Sequence, residues 1–251
     1  MNLPRFPISF PEGRVALAVR PAPGADLART LRGMGLTTGV PIIVLVSAGA
    51  TQSQLKRLGP LLDKVVIPVT VAAGAAVVDE GHRSGVGAML GQACRRTTAQ
   101  FPLVGLAPEH RGESGDGLDP NHTHFVAVPA DPPGWAAMWT SRVASALAGG
   151  NRSVALVIAG GDPAWASLAE HAMAGRLVMA VARTGGVADH LARALKGEEA
   201  DRRAGPLAAS GQVFAVDPAR GASHVADRLR SALRRDEPGR PGALDPGRDR
   251  T

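Results

Sequence analysis

The run VPIIVLVS at residues 40–47 is apolar on both of its faces. A strand of this kind must be covered on both sides, as in the centre of a parallel sheet. Between such runs lie stretches in which apolar residues recur at helical spacing. The other predicted strands lie at residues 14–20, 75–79, 101–106, 124–128, 153–159, 177–181 and 212–216. The alternation predicts an α/β fold with an open, mostly parallel sheet and helices on both faces.

The chain has 251 residues and no obvious linker, which predicts a single domain over residues 13–235. We expect residues 1–12 to form an N-terminal extension and residues 236–251, rich in Pro, Gly, Arg and Asp, to form a disordered tail. The single cysteine excludes a disulfide framework or a zinc finger within one chain and fits a cytoplasmic location. No signal-peptide pattern and no membrane-length apolar run is present, so membrane insertion is not expected.

The net charge of +6 and the pI near 10.8 are typical of nucleic-acid-binding proteins. All but three of the basic residues are arginine, however, in a chain rich in Ala, Gly and Pro. This composition indicates a genomic bias rather than a basic groove. Five Phe, three Trp and no Tyr also leave few rings for stacking on single-stranded nucleic acid. Nucleic acid is therefore not the expected partner.

Ligands of doubly wound sheets bind beyond the carboxyl ends of the strands, and the predicted loops there are rich in small residues. In DEGHRSGVG, residues 79–87, glycines precede a predicted helix, where backbone N–H groups attract phosphate. Arg83 would add charge, and Asp79 or Glu80 would hold ribose hydroxyls or act as a base. The spacing matches neither the dinucleotide fingerprint nor a Walker A loop.

Three further loops follow the same pattern: SAGAT at 47–51, GGDP at 160–163 and RTGGVAD at 183–189. Each also has a purely structural interpretation: a tight turn in the first, an N-cap at Asp162 and a dipole-compensating Asp189 in the others. The four loops would meet at one edge of the sheet, and together they predict one crevice.

The HxH pair formed by His122 and His124 is the obvious candidate for metal binding. In an extended segment both imidazoles lie on the same face. No third ligand accompanies them at a recognisable spacing, so a polar wall of the crevice is favoured over a metal site. The serine-hydrolase pattern GxSxG is absent.

Several segments resemble one known family, the prokaryotic LSDAT branch of the SLOG superfamily, which is similar to the cytosolic N-terminal domain of melastatin-type TRP channels. The segments are VPIIVLVSAGA (40–50), VVDEGHRSGVGAMLGQA (77–93), FPLVGLAPEH (101–110), LDPNHTHFVAVP (118–129), VALVIAGGD (154–162) and LVMAVARTGGVADHLARAL (177–195). The resemblance covers residues 13–235.

The resemblance implies a Rossmann-like fold that binds a nucleotide-derived ligand of the ADP-ribose, NAD-derived or AMP type, as a sensor rather than an enzyme. A homo-oligomer and a separate effector protein are expected, because the chain contains no effector domain of its own. The predicted ligand-binding residues are Gly49, Ala50, Thr51, Asp79, Glu80, Gly81, Arg83, Ser84, Gly85, Val86, Gly87, Pro108, His122, His124, Gly160, Gly161, Asp162, Arg183, Thr184, Gly185, Gly186 and Asp189.

Two alternatives stay open. Relatives called LOG hydrolyse the N-glycosidic bond of nucleoside monophosphates and carry a PGGxGTxxE motif. Residues 159–167 keep its Gly pair but lack its Gly-Thr and its Glu, so the same chemistry would need Glu80 or Asp79 as the catalytic carboxylate. The second alternative is DNA binding, as in DprA relatives, which would use the basic charge.

Overall fold

A computed structural model describes residues 5–11, 13–131 and 133–234. Within these ranges nine strands form one sheet in the order β1-β2-β6-β5-β4-β3-β7-β8-β9, and each neighbouring pair is parallel except β1 with β2. The strands are β1 (Arg5–Ser9), β2 (Val15–Val19), β3 (Ile42–Val46), β4 (Ala76–Val78), β5 (Leu103–Pro108), β6 (His124–Val128), β7 (Ser153–Ile158), β8 (Leu177–Val181) and β9 (Val213–Val216). The predicted α/β fold with an open, mostly parallel sheet is confirmed.

Helices cover both faces of the sheet. They are α1 (Leu27–Gly33), α2 (Gln52–Leu55), α3 (Gly59–Leu61), α4 (Ile67–Ala72), α5 (Val86–Thr97), α6 (Trp135–Ala148), α7 (Ala164–Met173), α8 (Gly186–Ala194), α9 (Ala204–Ala209) and α10 (Ala222–Leu233). Short 3₁₀ helices lie at Glu109–Arg111 and Pro218–Arg220. No helix in the described part of the chain is long and apolar enough to cross a membrane.

The central strand β3 shows why both faces must be covered. Ile42, Val44 and Val46 pack into one hydrophobic cluster, and Ile43 and Leu45 pack into the other. Helices α1 and α6 to α9 supply residues to the first cluster, while α2 to α5 and α10 supply residues to the second. Successive side chains of a strand point to opposite faces, so the fully apolar run at residues 40–47 predicts a strand between two layers of helices.

The segment after β3 differs from the prediction. The sequence predicts a helix over residues 52–65 that Pro60 interrupts, and the structure divides this region further, into α2, α3 and a π-helix, Leu62–Val66, which continues into α4. Pro60 lies in α3, where it has no N–H to donate to the preceding turn. A continuous α-helix is therefore interrupted at this point.

The ends of the chain carry one element that the sequence analysis did not assign. Arg5–Ser9, within the predicted N-terminal extension, is strand β1 and pairs antiparallel with β2. The predicted disordered tail, residues 236–251, lies outside the described residues.

The order of the strands reverses between β3 and β7. After β3 the chain proceeds through β4, β5 and β6 to one side, and it then returns through α6 to β7 and proceeds through β8 and β9 to the other side. Loops that leave the carboxyl ends of two such strands diverge and leave a crevice, where ligands of doubly wound folds bind. The topology thus marks the ends of β3 and β7 as the place for a site.

Candidate functional site

A cleft of about 390 Å³ opens beyond the carboxyl ends of β3 and β4, beside this reversal point. Small-molecule sites are usually clefts of roughly 300–1,000 Å³. The loop after β3, the loop after β4, the first turn of α5 and one residue from the loop after β7 form its wall. The lining residues are Leu45, Ser47, Ala48, Gly49, Ala50, Gln52, Leu55, Asp79, Glu80, Gly81, His82, Ser84, Gly85, Val86, Gly87 and Pro163.

Asp79 is the lining residue that is held most firmly. Its Oδ1 accepts a hydrogen bond from the backbone N–H of Gly81 (2.7 Å) and lies 2.8 Å from Nε2 of His122. The side chain of Asp79 is 7 % exposed and that of His122 is fully buried. The carboxylate of Asp79 therefore lines the cleft while His122 and the N–H of Gly81 hold it in place.

The other nitrogen of the His122 ring contacts a second carboxylate. Nδ1 of His122 lies 2.9 Å from Oδ2 of Asp119, whose Oδ1 accepts a hydrogen bond from Nδ2 of Asn121 (2.7 Å). Arg14 in turn donates to Oδ1 of Asn121. A row of polar groups thus runs from the cleft through the buried imidazole to the half-buried Asn121 and Arg14. We call Asp79, His122 and Asp119 the Asp–His–Asp triad.

The triad determines its own protonation state. Burial alone would lower the pKa of His122, but the charge of Asp79 and the hydrogen bonds to Asp119 and Asp79 outweigh burial and raise that pKa to about 9. Burial would raise the pKa of Asp79, yet the charge of His122 and the hydrogen bonds from His122 and Gly81 hold it below its usual value. At neutral pH, His122 is therefore an imidazolium between two carboxylates, and the triad carries one net negative charge.

Four glycines make room for the triad. A Cβ on Gly87 would overlap Oδ2 of Asp79, and a Cβ on Gly91, one helical turn later in α5, would come within 2.6 Å of Oδ2 of Asp119. On the sheet side, a Cβ on Gly105 would lie 2.9 Å from Cδ2 of His122 and 2.7 Å from Cα of Gly81. Gly81 has φ +73°, a conformation that other residues rarely adopt. Gly81 and Gly87, from the DEGHRSGVG loop, thus have a packing role as well as a place in the cleft.

The N-terminus of α5 also faces the cleft. Its N-cap is Gly85, with φ 90° and ψ −166°, and no side chain caps the helix. The backbone N–H groups of a first helical turn have no partner within the helix and carry partial positive charge. Since Gly85, Val86 and Gly87 line the cleft, an anion in it would meet these groups.

Glu80 brings a second carboxyl group into the cleft. Burial raises its pKa, the nearby His82 lowers it, and the charge of Asp79 raises it again, with a net rise above its usual value. The Oε2 atom of Glu80 lies 3.4 Å from Nδ1 of His82. Asp79 and Glu80 are adjacent in sequence, but their pKa values shift in opposite directions, as is typical of acid–base pairs in enzymes.

The structure brings only one residue of the GGDP loop, Pro163, and no residue of the RTGGVAD loop into the cleft. Gly161 packs on Gly49 and donates its N–H to the carbonyl of Ala48 (2.7 Å), and Pro163 alone from that loop lines the cleft. The side chain of Asp162 pairs with Arg203 (2.6 Å) and does not form an N-cap, because the N-cap of α7 is Pro163. The N-cap prediction for Asp162 is therefore wrong.

The first backbone N–H groups of α8, the helix that follows the start of the RTGGVAD loop, already donate hydrogen bonds. Those of Val187 and Ala188 donate to the carbonyls of Gly160 and Ala159, each at 3.0 Å. A Cβ on Gly186 would overlap the carbonyl oxygen of Gly160. The paired glycines thus join two strand ends, and the start of α8 is not open to a phosphate in this arrangement.

The remaining predicted residues lie in several places. Thr184 accepts a hydrogen bond from the N–H of Ala159 (2.8 Å), Arg183 pairs with Asp217 (2.8 Å), and Thr51 caps α2 through a capping box with Gln54. Other predicted residues that do not line the cleft are Arg83, Pro108, Gly160, Gly185 and Asp189.

His122 and His124 do not share a wall as predicted. His122 is the central residue of the triad, whereas His124 lines a separate cavity near the amino end of β6. In the described residues no group of three or more His, Cys, Asp or Glu side chains could hold a metal ion.

Sequence reasoning missed Asp119, Asn121 and His82. The first two are part of the LDPNHTHF stretch, where Asp119 lies three residues before His122 and contacts its ring. That Asp79 is the partner on the other side of His122, 43 residues away, depends on the tertiary fold.

The model of the family described as SLOG in TRPM, prokaryote, matches residues 40–227, well over half of the chain. No curated protein matches the sequence. Among solved structures, the X-ray structure of the structural-genomics target TM1055 is similar with a TM-score of 0.51 and 19% identity, over 76% of this chain and 98% of that one. At this identity the likeness shows the fold alone.

The pKa of His122 generates a prediction about stability. A folded-state pKa of about 9 against about 6.5 in the unfolded chain means that the triad's contribution is complete below pH 6.5 and is lost as pH rises to 9. We expect a loss on the order of 3 kcal/mol over this range. Denaturant unfolding at several pH values measures it, and a His122→Gln variant should lose this dependence.

A second measurement does not need the variant to fold. Nitrogen NMR of the imidazole rings should show His122 protonated well above pH 7, with the exposed His110 as an internal reference for a solvent-accessible ring. A His122 ring that is neutral at pH 6.5 would contradict the assignment of the triad.

The glycine contacts generate a prediction about Gly87. In Gly87→Ala the new methyl group would overlap Asp79, so the carboxylate must move away from His122. We expect a loss of about 3 kcal/mol in the free energy of unfolding and a lower pKa of His122. The matched control is Gly205→Ala in α9, where a Cβ meets nothing within 4 Å. Alanine there should be neutral or stabilise by up to about 1 kcal/mol. Equal effects of the two substitutions would contradict the packing role of Gly87.

Proposed function

Because the chain belongs to the prokaryotic SLOG-in-TRPM family, we propose that the cleft beside α5 binds a small nucleotide-derived ligand of the ADP-ribose, NAD-derived or AMP type. One observation supports this proposal most strongly. The same cleft contains the uncapped N-terminus of α5 and the carboxylate of Asp79, which the imidazolium of His122 holds in place. The helix N-terminus suits a phosphate, and the carboxylate suits the hydroxyl groups of a ribose.

The cleft offers a distinct surface to each part of such a ligand. A phosphate binds at Gly85 and Gly87, where it accepts hydrogen bonds from backbone N–H groups. Ribose hydroxyls donate to Asp79. Leu45 and Leu55 give apolar surface to a base, which therefore packs on aliphatic groups rather than on a phenyl or indole ring.

The charge of the cleft limits how many phosphates it can hold. No Arg or Lys is present among its described lining residues, whereas Asp79 and Glu80 are. The attraction for phosphate thus comes from the helix N-terminus, equivalent to about half a positive charge. One phosphate group in direct contact with α5 matches this field better than a polyphosphate does.

Calorimetric titration with ADP-ribose, cyclic ADP-ribose, NAD and AMP tests the proposal. The exposed Ser84 precedes the N-cap of α5. In Ser84→Glu a carboxylate would compete for the helix N-terminus, and we expect at least about tenfold weaker binding, or about 1.4 kcal/mol. The control is Ser223→Glu, which places the same charge in the first turn of α10, outside the cleft.

The control variant should bind like the original protein. If none of the four compounds binds to protein with a normal melting transition, or if both variants weaken binding equally, the proposed site is wrong.

A second function is favoured by one observation, the raised pKa of Glu80 beside the anionic Asp79. Hydrolysis of an N-glycosidic bond needs one group that donates a proton to the leaving base and another that stabilises the positive charge on the sugar. Glu80 has the properties of the first and Asp79 those of the second. We propose this as the alternative to pure binding.

Chromatography of the products decides between the two functions. If the cleft is hydrolytic, AMP should yield free adenine, and Glu80→Gln should reduce the rate by about 10² or more, because an amide cannot donate the proton that the leaving adenine takes up. Binding of the same compound should survive in this variant. If the protein binds nucleotides but releases no base over hours, the hydrolase alternative is excluded.

A further inference from the structure

A second cavity, of about 320 Å³, lies on the other side of α2 from the cleft. Its floor and walls are mainly aliphatic and come from the segment after β3, from the start of α10 and from the 3₁₀ turn before α10. The apolar lining residues are Leu58, Pro60, Leu61, Val65, Pro218, Ala222 and Val225, and the polar ones are Gln54, Arg57, Lys64, Arg183 and Thr184.

The polar rim of this cavity is positively charged. Arg57, Lys64 and Arg183 line it, and none of its described lining residues is acidic. Asp63 pairs with Arg96 outside the cavity (2.9 Å), and Asp217 pairs with Arg183 (2.8 Å) and offsets its charge, so the positive charge of the rim comes from Arg57 and Lys64. Within the described ranges, no ion pair or hydrogen bond of the Arg57 or Lys64 side chain is found.

The wall of this cavity includes an unusual backbone element. Lys64 and Val65 belong to the π-helix Leu62–Val66, and both line the cavity. A π-helical turn is rare and is frequently found at functional sites. The extra residue in this turn places Lys64 on the exposed rim while Val65 stays buried.

We propose that this cavity is a second ligand site, which takes a small amphipathic anion: an acyl or aryl group bearing one carboxylate, sulfonate or phosphate. The apolar body lies against Leu58, Leu61 and Val225, and the anionic head lies between Arg57 and Lys64. Transfer of the apolar part from water drives binding, and charge complementarity selects an acid over an alcohol or an amine.

The two sites have different chemistry and different walls. Helix α2 separates them, with Gln52 and Leu55 facing the cleft and Gln54 facing the second cavity. Among the described lining residues, the cleft has Asp79 and Glu80 and no Arg or Lys, whereas the second cavity has Arg57 and Lys64 at its rim and no acid. The second site therefore does not depend on nucleotide binding in the cleft.

The test uses two probes on the full chain. Anilinonaphthalene sulfonate, an aryl anion that fluoresces in apolar surroundings, should bind at one saturable site. Octanoate should displace it at least tenfold more effectively than octanol or octylamine does. No saturable binding, or equal displacement by acid, alcohol and amine, overturns the proposal.

Charge reversal locates the site. Arg57→Glu with Lys64→Glu should weaken both probes at least tenfold. Lys56→Glu with Arg95→Glu changes the net charge equally at exposed positions outside this cavity and should have no effect. Ala222→Phe, at an exposed position on the cavity wall, should block binding without changing the melting temperature. If the two double variants behave alike, or if Ala222→Phe binds normally, the site is not this cavity.

A further experiment distinguishes a free acid from a membrane lipid as the ligand of this cavity. Flotation with phosphatidylglycerol vesicles should leave the protein unbound, because the cavity encloses one small molecule. Binding to vesicles without binding of monomeric octanoate overturns the proposal.

Discussion

The ion pair between Asp79 and His122 is the interaction on which the candidate site depends. It joins the end of β4 to the segment before β6, and Asp119 holds the other side of the same ring. An isolated buried carboxylate would be neutralised by a raised pKa, so the imidazolium is what keeps Asp79 ionised at the cleft. A buried pair of this kind is costly to form and more costly to break. Loss of His122 would leave two buried carboxylates without a cation.

The glycines around this pair show how packing and chemistry are connected. Gly87 and Gly91 are one helical turn apart on α5, and each accommodates one of the two carboxylates that flank His122. The close approach of α5 also brings its N-terminus to the cleft, beside Asp79. The same small residues that let the triad fit therefore place the anion-attracting helix end next to the carboxylate. A larger residue at Gly87 would disturb both features at once.

Local sequence predicted the features that depend on local physics. The apolar run at residues 40–47 predicted the central strand, because both faces of β3 are buried, and the glycines before residue 86 predicted the start of α5. The roles of the other glycines and the exact form of the segment after β3 depend on tertiary structure. Gly160, Gly161 and Gly186 look like phosphate-binding glycines in sequence. In the structure, however, Gly161 and Gly186 pack against other backbone, and Gly160 packs against the side chains of Ala164 and Val187. Pro60 signalled a break in the helix, but the π-helix that follows depends on packing against α5 and α10.

The protein's overall positive charge is separate from the charge of its cleft. The chain carries +6, but the triad contributes one net negative charge behind the cleft and Glu80 adds a group with a raised pKa at its surface. An anion bound at the start of α5 would add negative charge near Glu80. Like charges oppose ionisation, so a bound phosphate would favour the protonated form of Glu80. Phosphate binding would then increase the fraction of Glu80 that carries a proton, which is the form that the proposed hydrolysis requires for protonating a leaving base.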